Sequence, residues 1–273
     1  MRVRRRVRGL AGDGFPARLL EIQTISNYRG LEVAEAGMAL LNRPLYLQVR
    51  DVIIERIGKG EWKPGSALPN EGDLARQFGL STGTLRKALD HLEAERVLTR
   101  RQGCGTYVAD QSSDAVVTRY WRVGGSDGKP MAGDVKPIDI VEAPAKEEEC
   151  RRLRLRPDEH VYRSRSVHLK NNVPFMFEEA SLPATFFPGL LEGKAIPHRV
   201  AALAQQHGAL LGKAEERISI SNAPASIAEY LGIAPDTPVL LLDRLLLTVD
   251  GQPIEWRVAH LHMAGGFYLA EMR

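Results

Sequence analysis

The run Ser81-Thr82-Gly83-Thr84-Leu85-Arg86-Lys87 sets small hydroxyl side chains ahead of two long basic ones. That order suits the first turns of a helix presented to a polyanion, because free N–H groups and the helix dipole favour phosphate there. Arg86 is the leading candidate for a base or phosphate contact, since its planar fork can meet two acceptors on one guanine edge. Further on, Arg100, Arg101, Gln102 and Gly103 form a second basic cluster beside a glycine, suited to adjacent backbone or minor groove. Any one of these residues reads equally well as part of a solvated face. Their order along the chain gives them weight, and Ser81, Thr82, Thr84, Arg86, Lys87, Arg100, Arg101, Gln102 and Gly103 are the expected DNA contacts.

Histidines offer a second chemistry. His260 and His262 would share one face of a strand, and His168 and His198 are further possible metal ligands. No cysteine or tight His/Asp cluster joins them in sequence, so hydrogen-bonded structural histidines are the simpler reading and no cofactor or metal is expected. Cys104 and Cys150 show no ligand spacing and read as reduced and incidental. The chain has no nucleophile elbow, phosphate loop or metal motif to support an enzyme.

The elements that must position the basic residues are legible. Leu45, Val49, Val52, Ile53 and Ile57 recur at helical spacing after Pro44, and Gly58 and Gly60 mark an end. Asn70 is a helix cap, with Asp73 completing a capping-box-like pair, so a second helix is expected over Glu71 to Phe78 and closed by Gly79. Ser81 opens a third helix whose Leu85, Ala88, Leu89 and Leu92 fall on one face. Two helices separated by a tight glycine turn have helix-turn-helix spacing. Val97 to Thr99 and Gly105 to Val108 read as a small hairpin, the wing, with Arg100 to Gly103 at its tip.

Charge is distributed to match. Residues 39–110 carry 11 Lys/Arg against 9 Asp/Glu and residues 1–38 carry 7 against 4, whereas residues 111–273 carry 19 against 21. The basic balance thus lies in the first half. Residues 1–38 show no sustained period and are expected to be a poorly ordered extension or leader, with Met38 an alternative start. No stretch approaches the roughly 18 to 20 apolar residues of a membrane span, and the Arg-rich start lacks a signal-peptide core, so a cytoplasmic protein without a membrane partner is expected.

Pro44-Leu45-Tyr46, Leu68-Pro69-Asn70-Glu71, Phe78-Gly79-Leu80-Ser81, Thr84-Leu85-Arg86-Lys87-Ala88-Leu89 and Arg101-Gln102-Gly103-Cys104-Gly105-Thr106-Tyr107-Val108 resemble the GntR-type winged helix across residues 44 to 108. Gly72 and Thr82 stand where members of that family often carry arginine, so the operator sequence does not carry over. From about residue 120 the texture alternates over Val161 to Leu169, Pro174 to Leu182, Arg217 to Ser221 and Pro238 to Val249. Helical patches fall at Arg199 to His207 and Ser226 to Leu231, and Asp250-Gly251 is a strong hairpin signal. An α+β domain on an antiparallel sheet follows. Val161-Tyr162-Arg163, Pro174 through Glu179, Phe187-Pro188-Gly189-Leu190-Leu191, Tyr230-Leu231-Gly232 and Asp250-Gly251-Gln252-Pro253-Ile254-Glu255 resemble the UTRA effector-binding domain of the HutC branch, whose fold is shared with chorismate lyase. The expected domains are a winged helix over 39–110, a linker over 111–120 and a UTRA domain over 121–273.

The resemblance implies a ligand cleft in which Glu178 and Glu255 are the two acids, and in which Ser166 and His168 occupy the positions of an Arg-x-Arg anion clamp. Losing two fixed charges implies an effector less anionic than a sugar phosphate. Arg163 and Arg165 are two residues apart, and a register slip would restore the clamp. Arg165, His198 and His260 complete the expected effector-binding set. The resemblance further implies a homodimer, double-stranded operator DNA as partner, and repression relieved by a small-molecule effector. Two alternatives stand beside it: a lyase-like or metal-dependent enzyme fused to a nucleic-acid-binding module, and a sister-branch regulator with an all-helical metal-binding effector domain.

Overall fold

The computed structural model describes residues 43–110, 121–126, 128–131, 133–192, 200–263 and 265–269. The expected leader, the expected linker and His198 lie outside the described residues.

The first unit is three helices and a hairpin around one core. Helix α1 (Leu45–Gly58) buries Val49, Ile53 and Ile57. Helix α2 (Glu71–Phe78) begins at Asn70, whose Oδ1 accepts from the Asp73 N–H at 2.9 Å, and ends at Gly79 with φ 66°. Asp73 does not close a reciprocal capping box; its carboxylate accepts instead from Asn70 Nδ2 at 2.6 Å. Helix α3 (Thr82–Ala94) starts where Ser81 Oγ accepts from the Thr84 N–H at 3.1 Å, and buries Leu85, Ala88, Leu89 and Leu92 against Ile53 and Leu74. Strands β1 (Leu98–Arg101) and β2 (Gly105–Val108) pair antiparallel. The strand therefore continues through Arg100 and Arg101, which the sequence placed in the tip, because both pair in register with Thr106 and Gly105.

The second unit contains β3 (Val123–Gly124), β4 (Asp134–Pro144), α4 (Glu147–Leu153), β5 (His160–Lys170), β6 (Val173–Pro183), α5 (Val200–Gln206), β7 (Leu211–Asn222), α6 (Ala225–Leu231), β8 (Pro238–Thr248), β9 (Pro253–Leu261) and β10 (Phe267–Tyr268). Six strands form an antiparallel sheet in the order β4-β5-β6-β9-β8-β7, and β3 pairs with β10 in a separate two-stranded ribbon. The expected Arg217 to Ser221 strand is the second half of the twelve-residue β7. Asp250-Gly251 turns β8 into β9, with Gly251 at φ 84°.

Register fixes which side chains share a face. Ser166, Glu178, Ala259 and Leu242 lie opposite one another across β5, β6, β9 and β8, and one pleat along, Ala180, Arg257, Arg244 and Glu216 do the same. Two apolar clusters flank these rows. One packs Val200, Ala201 and Ala204 of α5 on Tyr162, Leu182, Phe187 and Leu246; the other packs Val123 and Met131 on Met176, Leu242 and Leu261. On the opposite face Val167, Phe177 and Val239 are covered by Ala228 and Leu231 of α6.

Phe187 is fully buried in the α5 cluster, with its ring at 63° to Phe186 and 89° to His207. Phe187→Ala is expected to destabilise the second unit by about 3–5 kcal/mol. A urea titration followed by circular dichroism measures this, and a loss under about 1 kcal/mol would mean that the site refills on truncation.

Candidate functional site

Between the two apolar clusters the sheet buries a strip of charge. Glu178 sits mid-strand in β6, where Ser166 Oγ donates to its Oε1 at 2.9 Å and Arg257 Nη1 donates to its Oε2 at 2.7 Å. His168 Nε2 lies 3.1 Å from Glu178 Oε1, off the line of a hydrogen bond. Arg257 turns its second amino group to Glu255 Oε1 at 2.6 Å, so one guanidinium links both acids. Beside it Arg244 Nε donates to Glu216 Oε1 at 2.7 Å, and the Tyr268 hydroxyl donates to the other Glu216 oxygen.

Burial alone would push the Glu178 carboxyl up; the Arg257 charge, with His168 and Ser166, outweighs it and holds the group well below the usual carboxylate range. Burial disfavours charge on Arg257 too, but Glu178 and Glu255 together keep it firmly protonated. Burial and the Glu216 carboxylate push the Tyr268 hydroxyl up, so it remains a donor.

The β3–β10 ribbon roofs this strip. Trp121 stacks on His168 with centroids 5.5 Å apart and planes at 22°. Beneath it a cavity of about 20 Å³ is lined by Trp121, Glu178, Glu216, Arg244 and Arg257, and by apolar side chains. Such a volume holds about one water molecule. Two nitrogens of the cavity's lining residues, Trp121 Nε1 and Arg257 Nε, are buried without a hydrogen-bond partner. Polar groups buried at a cavity without partners point to a ligand or solvent that satisfies them.

Of the expected effector residues, Ser166, His168, Glu178 and Glu255 come together here. Arg165 and His260 do not, because strand alternation turns them to the other face. Arg165 pairs there with Asp139, and His260 lies beside Phe177 and Leu241, where burial lowers its pKa. Nor do Arg163 and Arg165 make an anion clamp: Arg163 binds the buried Glu149 through two bonds of 2.6 and 2.5 Å, so both guanidiniums are neutralised. Arg257, Arg244, Glu216, Trp121 and Tyr268 were missed. Arg257 had a readable signal, two residues beyond Glu255 on the same strand face. The others reach the site through pairings and chain crossings that leave no local pattern. Among the described residues no set of three His, Cys, Asp or Glu side chains converges as a metal site.

The residues expected to contact DNA begin at the start of α3. Ser81, Thr82, Arg86 and Lys87 are exposed there and Thr84 is half-buried. Arg86 is held by Glu71 of α2, which accepts from its Nε at 3.0 Å and its Nη2 at 2.8 Å. Arg100 is turned back onto α3, 2.6 Å from Asp90 and 2.9 Å from Glu93, so in this arrangement it fastens the wing to the helix. Arg101 lies over the Tyr107 ring at 4.3 Å, with Gln102 and Gly103 exposed beside it.

A winged helix with an open basic helix start, joined to a sheet that buries a charged pocket, defines a ligand-responsive DNA-binding regulator. Residues 45–108 match the bacterial regulatory proteins of the gntR family, and residues 117–263 match the UTRA domain. The chain therefore belongs to the GntR-family transcriptional regulators that carry a UTRA domain, and it is a regulator of transcription, not an enzyme. It is 27% identical to the mannosyl-D-glycerate transport/metabolism system repressor of Escherichia coli K12 over 79% of this chain and 90% of that one. It is 30% identical to the histidine utilization repressor of Pseudomonas putida over 55% of this chain and 60% of that one. The ligand-binding domain of a GntR-family regulator from Bordetella bronchiseptica superposes with a TM-score of 0.50 at 25% identity, covering 57% of this chain and 98% of that one. Family membership brings operator DNA and a UTRA-bound effector as partners. Among the described residues no helix is long and apolar enough to cross a membrane.

Because Glu178 is ionised in the fold, its contribution to stability is present above the ordinary glutamate pKa of about 4.3 and is lost progressively below it. Glu178→Gln is expected to lower stability by on the order of 3 kcal/mol at pH 7, since Arg257 loses a buried partner. The gap in melting temperature between wild type and Glu178→Gln should close as pH falls below about 4. A gap constant from pH 7 to 3 would show that position 178 carries no charge in the fold.

Proposed function

We propose that this protein is a homodimeric cytoplasmic repressor that leaves its operator when an uncharged or cationic small molecule occupies the cavity beneath the β3–β10 ribbon. The observation that carries this reading is the charge balance of the buried strip. Glu178, Glu216 and Glu255 face two guanidiniums, Arg244 and Arg257, and both guanidiniums are already committed to carboxylates. A phosphate would enter a site whose guanidiniums are already taken by carboxylates. A ligand with one acceptor group, by contrast, would satisfy the unpartnered donors of Trp121 and Arg257. The relatives' names speak of repressors that govern the use of small nutrients, which favours a catabolic metabolite or its breakdown product as effector.

The DNA half of the reading places Ser81, Thr82, Thr84, Arg86 and Lys87 in the major groove, with Arg101, Gln102 and Gly103 against the flanking backbone. Arg86 exchanges its Glu71 carboxylate for a base or phosphate on binding, and Arg100 supports the wing from behind.

Thermal-shift measurements on the full chain against matched neutral, cationic and phosphorylated metabolites test the pocket. A neutral or cationic compound at 100 times its Kd stabilises the fold by about 2.7 kcal/mol and should release the protein from DNA of its own promoter. Response to phosphorylated sugars alone would overturn the charge argument. Arg86→Ala is expected to weaken operator binding by about 1–3 kcal/mol while leaving the ligand-induced thermal shift unchanged. Equal loss of both would assign Arg86 to folding.

A further inference from the structure

The winged helix does not hang free of the sheet domain. Leu210, just before β7, is buried in the winged-helix core with Val49, Ile53 and Ile57, and Val249 packs against the same cluster. The Val249 N–H donates to the Leu210 carbonyl at 2.9 Å, which ties these two loops into one surface. Arg50 of α1 clasps that surface. Its Nη2 donates to the Val249 carbonyl at 2.9 Å, while Nε and Nη2 hold Glu95, the residue that ends α3, at 2.8 to 3.0 Å. One guanidinium thus joins α1, the end of the DNA-reading helix and the β8–β9 turn. At the far end of α1 the two backbones touch: a Cβ added at Gly58 would stand 2.4 Å from the Gly208 carbonyl oxygen, and one added at Gly208 would stand 2.8 Å from that of Gly58.

We infer that this docked surface selects the spacing of operator half-sites, with Gly58, Arg50 and Leu210 as its determinants. The inference rests on the homodimeric repressor reading above. One recognition helix reads only a few base pairs, so affinity comes from two helices placed a fixed number of base pairs apart. Winged helices held only by their connecting chains accommodate several separations. Locked to the sheet domains by an apolar anchor, a clasp and a glycine contact that admits no side chain, they fit one. The surface also lies on the β8–β9 hairpin whose second strand carries Glu255, so a change at the pocket alters the same surface.

Gly58→Ala separates docking from folding. Gly58 ends α1 with an ordinary negative φ, and alanine is the better helix former, so the winged helix keeps its fold while the Gly208 backbone is forced away. Leu210→Ala removes the anchor from the other side without changing any residue of 43–110. The test is selection of DNA from a random pool by full-length wild type and both variants, with hydrogen exchange followed over residues 205–211 and 246–252. Wild type is expected to enrich paired half-sites at one spacing. Both variants should enrich the same half-site at several spacings, with about tenfold less discrimination between the best spacing and the next, and with faster exchange in the two loops. The inference is overturned if both variants keep the single wild-type spacing, or if wild type enriches isolated half-sites. Wild type enriching no sequence at all would instead remove the DNA-reading assignment on which it stands.

Discussion

A carboxylate in the middle of a sheet must find its counter-charge in the fold, because water is not there to supply it. Glu178 sits at that position in β6, between strands on both sides, and much of the second unit is arranged around it. Arg257 answers it from β9, and that guanidinium in turn needs Glu255 to occupy its remaining amino group. Arg244 and Glu216 close the next pleat as a pair of their own, and Tyr268 caps Glu216 from the C-terminal ribbon. Each added group removes one uncompensated charge and introduces another that must be met. An apolar strip would fill this space without such a chain of dependencies, so stability alone does not account for the charge. A partly satisfied set of fixed dipoles discriminates among ligands by what it leaves unpaired, and the unpartnered nitrogens at this cavity are those of Trp121 and Arg257.

The helices were legible because their signals are local. Asn70 and Gly79 bound α2 at the residues that cap geometry requires, and the four apolar positions of α3 all point into one core. Strand existence was legible for the same reason, through alternation and the Asp250-Gly251 turn. Strand β4 was not, since Pro137 and Pro144 argue against a strand. It is tolerated because β4 lies at the sheet edge, where the register slips between Pro137 and Asp139. Membership of the site was legible only as far as alternation carries. Ser166, His168, Glu178 and Glu255 follow from the resemblance, while parity removes Arg165 and His260. Which residue of β8 stands beside Arg257 depends on register across a bulged hairpin, and no local pattern encodes that.

The DNA face shows the same division. The capping serine, the hydroxyls and Arg86 are where the sequence places them. What the sequence does not show is that Arg86 and Arg100 are both held by carboxylates, Glu71 for the first and Asp90 with Glu93 for the second. A guanidinium held by an exposed carboxylate gains little stability but loses rotamer freedom.

Coupling between pocket and DNA requires that the ligand favour one arrangement of the winged helices over another by a free energy of its own. Two routes join the halves. The covalent one runs from Asp110 to Trp121, eleven residues along the chain. The non-covalent route runs through the β8–β9 hairpin, which carries Glu255 on its second strand and presents the Val249 carbonyl to Arg50. That route is held at both ends, because the hairpin strands are paired on both sides and Arg50 is held at the same time by Glu95. A 20 Å³ cavity cannot admit a metabolite without displacing the roof or the sheet beneath it. Whatever part of that displacement reaches the hairpin is felt at the clasp as a broken or strained charge-assisted bond. A hydrogen bond to a charged group contributes about 1.5–3 kcal/mol, and allosteric coupling free energies are typically about 1–3 kcal/mol. One clasp is therefore of the magnitude that the proposed coupling needs.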